Sequence, residues 1–270
     1  MIQLENIKIG GGYPFVLIAG PCVVENEDLI LSTAEAIKKI TADLGIPFIF
    51  KSSYKKANRT NINSFTGIGE KEALEILRKV KSDLSLPVLT DVHTAEEIAA
   101  AADVVDILQI PAFLSRQTEL LLAAGKSGKI INVKKGQFLA PDDMKNVAEK
   151  VASTGNNKIM LTERGTTFGY HNLVVDMRSF VIMKEFGYPV VMDATHSVQL
   201  PSKGITSGGE PKFIKPLARA ATAVGIDALF LEVHPNPKEA LSDASSQLPL
   251  SELKELLIEI KAIDKLVKRY

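Results

Sequence analysis

Eight short β-rich runs, each followed by a helical stretch, constrain this chain more than any other feature. They read FVLIAG (15–20), PFIFKSS (47–53), PVLTDVH (87–93), VVDILQIP (104–111), KIINVKKG (129–136), KIMLTERG (158–165), PVVMDATH (189–196) and ALFLEVHP (228–235). Between them, residues suited to a buried face recur at three- and four-residue steps. Examples are Ile30, Thr33, Ile37, Ile40 and Leu44, then Leu74, Leu77, Val80 and Leu84, then Leu253, Leu256, Ile260, Ile263 and Val267. That spacing marks one side of an α-helix. Pro47, Pro87 and Pro189 open three of the runs, where proline cannot continue a preceding helix. Strand then helix, eight times over, predicts an α/β protein whose parallel strands close into a (β/α)8 TIM barrel. The rival is an open doubly wound sheet, but the glycine-rich dinucleotide fingerprint it would carry after its first strand is missing.

A short β-hairpin is expected ahead of the barrel, over residues 1–12. Ile2 and Leu4, then Ile7 and Ile9, alternate on either side of Glu5-Asn6, and Gly10 to Gly12 release the chain. No low-complexity linker interrupts the 270 residues, so 1–270 is expected to be a single domain. Lys+Arg and Asp+Glu number 32 each, which gives no bulk field to draw the chain to nucleic acid or a membrane surface. No apolar run approaches the roughly 18 residues of a spanning helix. The opening MIQLENIKIGGG lacks the basic-then-apolar order of an export signal, and a single cysteine fits a reducing compartment, so the expected location is the cytoplasm.

In such barrels the chemistry sits at the C-terminal ends of the strands. Those ends carry Gly-Pro-Cys22, Lys51-Ser52-Ser53, Asp91-Val-His93, Gln109, Lys134-Lys135, Glu163-Arg164, Asp193-Ala-Thr-His196 and Glu232-Val-His234. Three of the four histidines and the sole cysteine fall there, a bias that packing alone does not predict. Cys22, His196 and Glu232 lie on strands that are neighbours in a closed ring, and the last loop adds Asp243. Thiolate, imidazole and carboxylate suit a borderline divalent cation such as zinc or ferrous iron. The spacing is not a linear metal motif, and a buried packing cysteine beside a satisfied polar histidine is the competing account. A second cluster is basic: Lys51, Lys56, Arg59, Lys134 and Arg164 stand at or beyond strand ends. In a chain without net charge, five cations at one mouth point to an anionic substrate. A lysine there could instead be a Schiff-base nucleophile, so the cluster alone leaves the reaction open. The glycine-rich segment 199–210 could close over a substrate or simply connect.

At these residues the chain resembles a known family. AGPC, FKSS, KANRT, LQIPAFLSRQT, INVKKGQFLAP, LTERGTTFGY, DATHSVQLP, SGGEPKF and LSDASSQLPL closely resemble the 3-deoxy-D-manno-octulosonate 8-phosphate synthases, from about Val16 to the last helix. The resemblance implies a transferase of lipopolysaccharide precursor biosynthesis that joins phosphoenolpyruvate, D-arabinose 5-phosphate and water, releasing inorganic phosphate. It implies that Lys51, Lys56, Lys134 and Arg164 hold phosphoenolpyruvate, and that Asn58 and Arg59 hold the sugar phosphate. Ser53, Thr60, Gln109, Phe113 and His93 would line the site, with His93 and His196 among the catalytic groups. Arg116 would reach in from a neighbouring subunit of a homotetramer. The family divides into a metal-requiring class with Cys after AGP and a metal-free class with Asn there. Cys22 therefore implies a divalent ion (zinc, iron or manganese) with His196, Glu232 and Asp243 as co-ligands. Thr60 and His171 depart from the usual Ser and Asn. Two alternatives stand beside this: the related synthase that uses erythrose 4-phosphate, and a non-catalytic sugar-phosphate-binding barrel.

Overall fold

The computed structural model describes residues 1–58, 61–200 and 208–270. β1 (Ile2–Leu4) and β2 (Ile7–Ile9) form the antiparallel hairpin, with Ile2 opposite Ile9. The strands β3 (Val16–Gly20), β4 (Phe48–Lys51), β5 (Val88–Asp91), β6 (Ile107–Ile110), β7 (Ile130–Lys134), β8 (Ile159–Glu163) and β9 (Val190–Asp193) then pair in parallel, each with the next. Two short strands, β10 (Gln199–Leu200) and β11 (Gly208–Gly209), make a small antiparallel ladder outside this ring. β12 (Ala228–His234) pairs with both β9 and β3 and closes the barrel, and β13 (Leu248–Pro249) adds to its end. Among the described residues this is the closed eight-stranded barrel that the sequence pattern predicts. The helices are α1 (Glu27–Leu44), α2 (Glu70–Leu84), α3 (Glu97–Val104), α4 (Thr118–Lys126), α5 (Met144–Ala152), α6 (Arg178–Lys184), α7 (Ile214–Val224) and α8 (Leu250–Lys268).

Local chemistry sets the helix ends. At α1 the Asn26 side chain accepts from Leu29 N at 2.9 Å, with Glu27 and Asp28 in the first turn, where carboxylates complement the free N–H groups. The same helix buries Ile30, Thr33, Ala34 and Ile37, much of the stripe read from sequence, and stops at Gly45 in the left-handed region.

The period-2 alternation of the strands divides the barrel interior into two zones. Near the N-terminal end, Ile18, Ile49, Leu89, Ile107, Ile130, Met160, Val191 and Phe230 form one apolar cluster. Ile2, Ile7 and Ile9 belong to the same cluster, so the hairpin plugs the lower opening. Stepping two residues along each strand keeps the inward direction, and the residues change character: Lys51, Asp91, Gln109, Asn132, Lys134, Thr162, Arg164, Asp193 and Glu232, all buried. The intervening positions, such as Leu17, Phe50, Leu108, Ile131 and Leu161, pack with the helices. Thr162 Oγ1 donates to Asn132 Oδ1 at 2.6 Å, and Asn132 Nδ2 donates to Gln109 Oε1 at 3.0 Å. This chain floors the polar zone without leaving these groups unpaired, each of which would otherwise cost about 1–3 kcal/mol.

The predicted runs overshoot the strands by up to three residues. Beyond Lys51 the chain leaves the ladder, with Ser52 N donating to Leu89 O and Ser53 N to Cys22 O. Of these two loop residues, Ser53 lines the mouth. Among the described residues no helix is long and apolar enough to cross a membrane.

Gly20, the last residue of β3, shows how tight this mouth is. A Cβ there would lie 2.1 Å from the Lys51 carbonyl oxygen and 2.9 Å from the Phe50 ring. Gly20→Ala must therefore push β3 and β4 apart. The expected result is a loss of about 1–3 kcal/mol in denaturant unfolding, as for other overpacked sites, together with loss of activity because Lys51 moves. A variant with wild-type stability would show that the strands adjust freely.

Candidate active site

The polar zone opens into a cavity of about 360 Å³ at the C-terminal mouth. Four cations face it: Lys51, Lys56, Lys134 and Arg164. Ser53, Asn58, Gln109 and Phe113 line it as well, and His196 and Asp243 close one side. The lysines are not idle charges. Lys51 Nζ lies 2.9 Å from Glu232 Oε1 and donates to the Cys22 carbonyl at 3.1 Å. Lys134 Nζ lies 2.6 Å from Asp193 Oδ2 and 4.2 Å above the centre of the Phe230 ring. Burial pulls the Lys134 ammonium below its ordinary range, and nearby Lys51 adds to this against the pull of Asp193. Burial alone would raise the Asp193 carboxyl, but His196 and Lys134 hold it well below the usual range. Arg164 donates to Gln199 Oε1 at 2.7 Å, while its buried Nη1 has no hydrogen-bond partner among the described residues. A buried, unpaired guanidinium N–H facing a cavity is a ready donor for an anion.

The soft and acidic residues meet on one wall, where β3, β12 and β9 are neighbours. Ligand atoms of Cys22, Glu232 and Asp243 all lie within 4.8 Å of one another. His196 joins them through Nε2, 3.5 Å from Glu232 Oε1 and 3.9 Å from Asp243 Oδ2. Its other nitrogen, Nδ1, sits 2.8 Å from Asp193 Oδ2, which fixes the ring with Nε2 toward the cluster, as metal-binding histidines require. Glu232 Oε2 is buried and has no hydrogen-bond partner among the described residues. Burial first, then the Glu232 carboxylate, push the Cys22 thiol up. Glu232 is held well below its usual range: burial opposes this, but His196, Lys51, Lys56 and Lys134 outweigh it. Three potentially anionic donors and an imidazole, with one carboxylate oxygen unpaired, fit a divalent cation.

The structure thus brings Cys22, His196, Glu232 and Asp243 together, and gathers the basic residues in front of them. Lys56 Nζ reaches Ser53 Oγ at 3.2 Å and approaches Glu232 Oε1 at 3.9 Å. Burial would lower its pKa, but Cys22, Glu232, Asp243 and Asp91 together raise it. His93 does not line this cavity, whereas Asp91, two residues earlier, does. His93 Nε2 lies 3.1 Å from Asp91 Oδ2 and Nδ1 lies 3.3 Å from Glu97 Oε2, which also accepts from Tyr54. Asp91 Oδ1 is buried without a hydrogen-bond partner among the described residues. Arg116 is exposed and does not line this chain's cavity. Arg59, Thr60 and residues 201–207 of the 199–210 segment lie outside the described residues. The base of that segment is the β10–β11 ladder, and Gln199 Nε2 donates to Asp243 Oδ1 at 3.2 Å.

Asp91 and Asp193 were missed as site residues, although each ends its strand at the inward parity shared with Lys51 and Lys134. Parity would have found them. Parity also separates two adjacent lysines: Lys135 turns outward, 3.5 Å from Glu163 and donating to Leu139 O at 3.1 Å. Gln137, in a loop, and Gln199, on the two-residue β10, line the cavity and carried no signal.

The family model of the DAHP synthetase I family matches residues 1–269. The chain is 58% identical over 268 residues to a Trichlorobacter lovleyi protein named 2-dehydro-3-deoxyphosphooctonate aldolase, covering 99% of this chain and 98% of the relative. Proteins of the same name from Geotalea uraniireducens and Geobacter metallireducens are each 57% identical over the same shares of the two chains.

The His93 contacts generate a pH test. Burial lowers its pKa, but Asp91 and then Glu97 outweigh this, so the folded value is raised. The charged ring therefore stabilises the fold fully below its unfolded value of about 6.5, and that contribution disappears as pH rises through the raised folded value. His93→Gln should cost more stability near pH 6 than near pH 10, measured by urea unfolding. Equal costs would mean that the ring is neutral in the folded protein.

Proposed function

The chain belongs to the DAHP synthetase I family, and we propose that it condenses phosphoenolpyruvate with D-arabinose 5-phosphate and water. The products are 3-deoxy-D-manno-octulosonate 8-phosphate and inorganic phosphate, a step of lipopolysaccharide precursor synthesis, and the expected setting is the cytoplasm. The observation that carries this is near-full-length identity to relatives named 2-dehydro-3-deoxyphosphooctonate aldolase. The cation-lined mouth of the barrel supports it, because both organic substrates are anions.

Carbon 3 of the enol forms a bond to the sugar aldehyde carbon, whose oxygen gains a proton. The oxygen of water bonds to carbon 2, its two protons passing to the former aldehyde oxygen and to the departing phosphate, and the bond from carbon 2 to the phosphate oxygen breaks, leaving a ketone and inorganic phosphate. Lys51, Lys56, Lys134 and Arg164 would hold the phosphate and carboxylate of phosphoenolpyruvate, with the unpaired Arg164 Nη1 completing a fork. Lys134 Nζ, close to both Asp193 and His196 Nδ1, links three groups able to exchange a proton. Asn58 and Arg59 would bind the sugar phosphate, with Ser53, Thr60, Gln109 and Phe113 along the sugar. Asp91 Oδ1, without a partner among the described residues, is suited to accept from a hydroxyl or a water. Arg116 would act on the site of a neighbouring subunit in a homotetramer, and the 199–210 segment would exclude water.

Cys22, His196, Glu232 and Asp243 would hold a divalent ion, with zinc, iron and manganese the candidates. When bound, such an ion would orient and polarise a water or the sugar aldehyde.

Two measurements test this function. Phosphate release from phosphoenolpyruvate should be at least about tenfold more efficient, by kcat/KM, with arabinose 5-phosphate than with erythrose 4-phosphate. The reverse preference would assign the related synthase, and no release with either sugar would leave a binding protein. Cys22→Asn should keep measurable activity that chelators do not touch, below the wild-type rate, because an amide can hydrogen-bond where a thiolate would bind an ion. Chelator-sensitive activity in that variant would contradict the assigned role of Cys22.

A further inference from the structure

We propose that Gln247 is a positioning residue that clamps the Asp243 loop to the backbone of Cys22, and so sets the separation of two ligands of the metal site. This rests on the metal assignment made above for Cys22, His196, Glu232 and Asp243.

Gln247 is 2% exposed and uses both ends of its amide. Its Oε1 accepts from the backbone N–H of Cys22 at 3.2 Å, and its Nε2 donates to the carbonyl of Ser242 at 2.9 Å. One side chain therefore joins the residue that carries the sulfur to the residue directly before Asp243. Gln247 is itself anchored, because it immediately precedes β13, whose Leu248 pairs with Val233 of β12, next to Glu232. The clamp thus ties together the segments bearing three of the four ligands.

The loop needs such a clamp. Asp243 has φ 48°, in the left-handed region, where a residue other than glycine persists only if its surroundings hold it. Several contacts do so around this turn. Ser246 N donates to Asp243 O at 3.0 Å, and Leu241 N donates to Glu25 Oε1 at 3.0 Å. The Glu25 contact is a second tie from this loop to the segment following Cys22. Without Gln247, the Cys22 N–H and the Ser242 carbonyl both lose their partner. Asp243 can then relax away from Cys22, whose Sγ now lies 3.3 Å from Asp243 Oδ2. Groups that orient metal ligands in this way commonly govern affinity by ten- to a hundredfold.

The test uses the full chain, stripped by chelation and titrated with cobalt(II), read by the thiolate-to-cobalt absorption band rather than by turnover. Gln247→Met, of similar size but without hydrogen bonds, is expected to bind cobalt(II) roughly ten- to a hundredfold more weakly. Gln247→Glu keeps an acceptor for the Cys22 N–H and loses the donor to Ser242, so a smaller loss is expected. It decides the question alone if the methionine variant does not fold. Wild-type affinity and an unchanged band in the soluble variants would overturn the proposal while leaving the metal site standing. A wild-type protein that takes up no cobalt(II) would instead overturn the metal assignment, and the proposal with it.

Discussion

The structure depends on charge compensation in a dry place. The upper interior of the barrel holds lysines, an arginine and carboxylates at almost no exposure, and an unpaired buried ion costs several kcal/mol. The sequence meets this cost by setting opposite charges on different strands. Lys51 on β4 faces Glu232 on β12, and Lys134 on β7 faces Asp193 on β9. Asp91 on β5 is matched by His93, which is steadied in turn by Glu97 at the start of α3. Because each lysine pair bridges two strands that flank a third, the pairs tie the mouth together while cations face the cavity. An anionic substrate can take over a lysine only where the carboxylate partner finds a new charge, and a divalent ion beside Glu232 would supply one. The proposed metal wall and the cations facing the cavity would therefore be coupled parts of one site.

Much of this was legible in the sequence because two periodicities carried it. The 3.6-residue stripes gave the helices, and eight β-rich runs gave the barrel order. The alternation around Glu5-Asn6 gave the hairpin, though not that it plugs the barrel through Ile2, Ile7 and Ile9. The chemical character of Cys22, Lys51, Lys134 and Arg164 at strand ends was enough to mark the mouth. His93 shares the parity of Asp91 but follows the end of β5, so parity alone does not fix where its ring lies. The last inward position of β5 is Asp91, and two residues further the chain has already turned toward α3.

What stayed hidden has a common physical cause. Gln137 and Gln247 sit in loops and Gln199 in a two-residue strand, where no period fixes the direction of a side chain, and an amide is an ordinary surface group by type. Their importance comes from partners far away in the chain. Gln247 meets Cys22 across more than two hundred residues, a pairing that only closure of the barrel creates. The close approach of Gly20 to Lys51 is of the same kind, since the obstacle lies on another strand.

The central claim is that one site couples buried cations to a bound divalent ion through Glu232. Elemental analysis of purified, active protein, followed by turnover before and after exhaustive chelation, tests it most directly. The account predicts about one divalent ion per chain, activity lost in step with its removal, and recovery when a divalent ion is restored. Undiminished turnover in protein shown to be free of metal would contradict it, and would leave Cys22 as a packing residue.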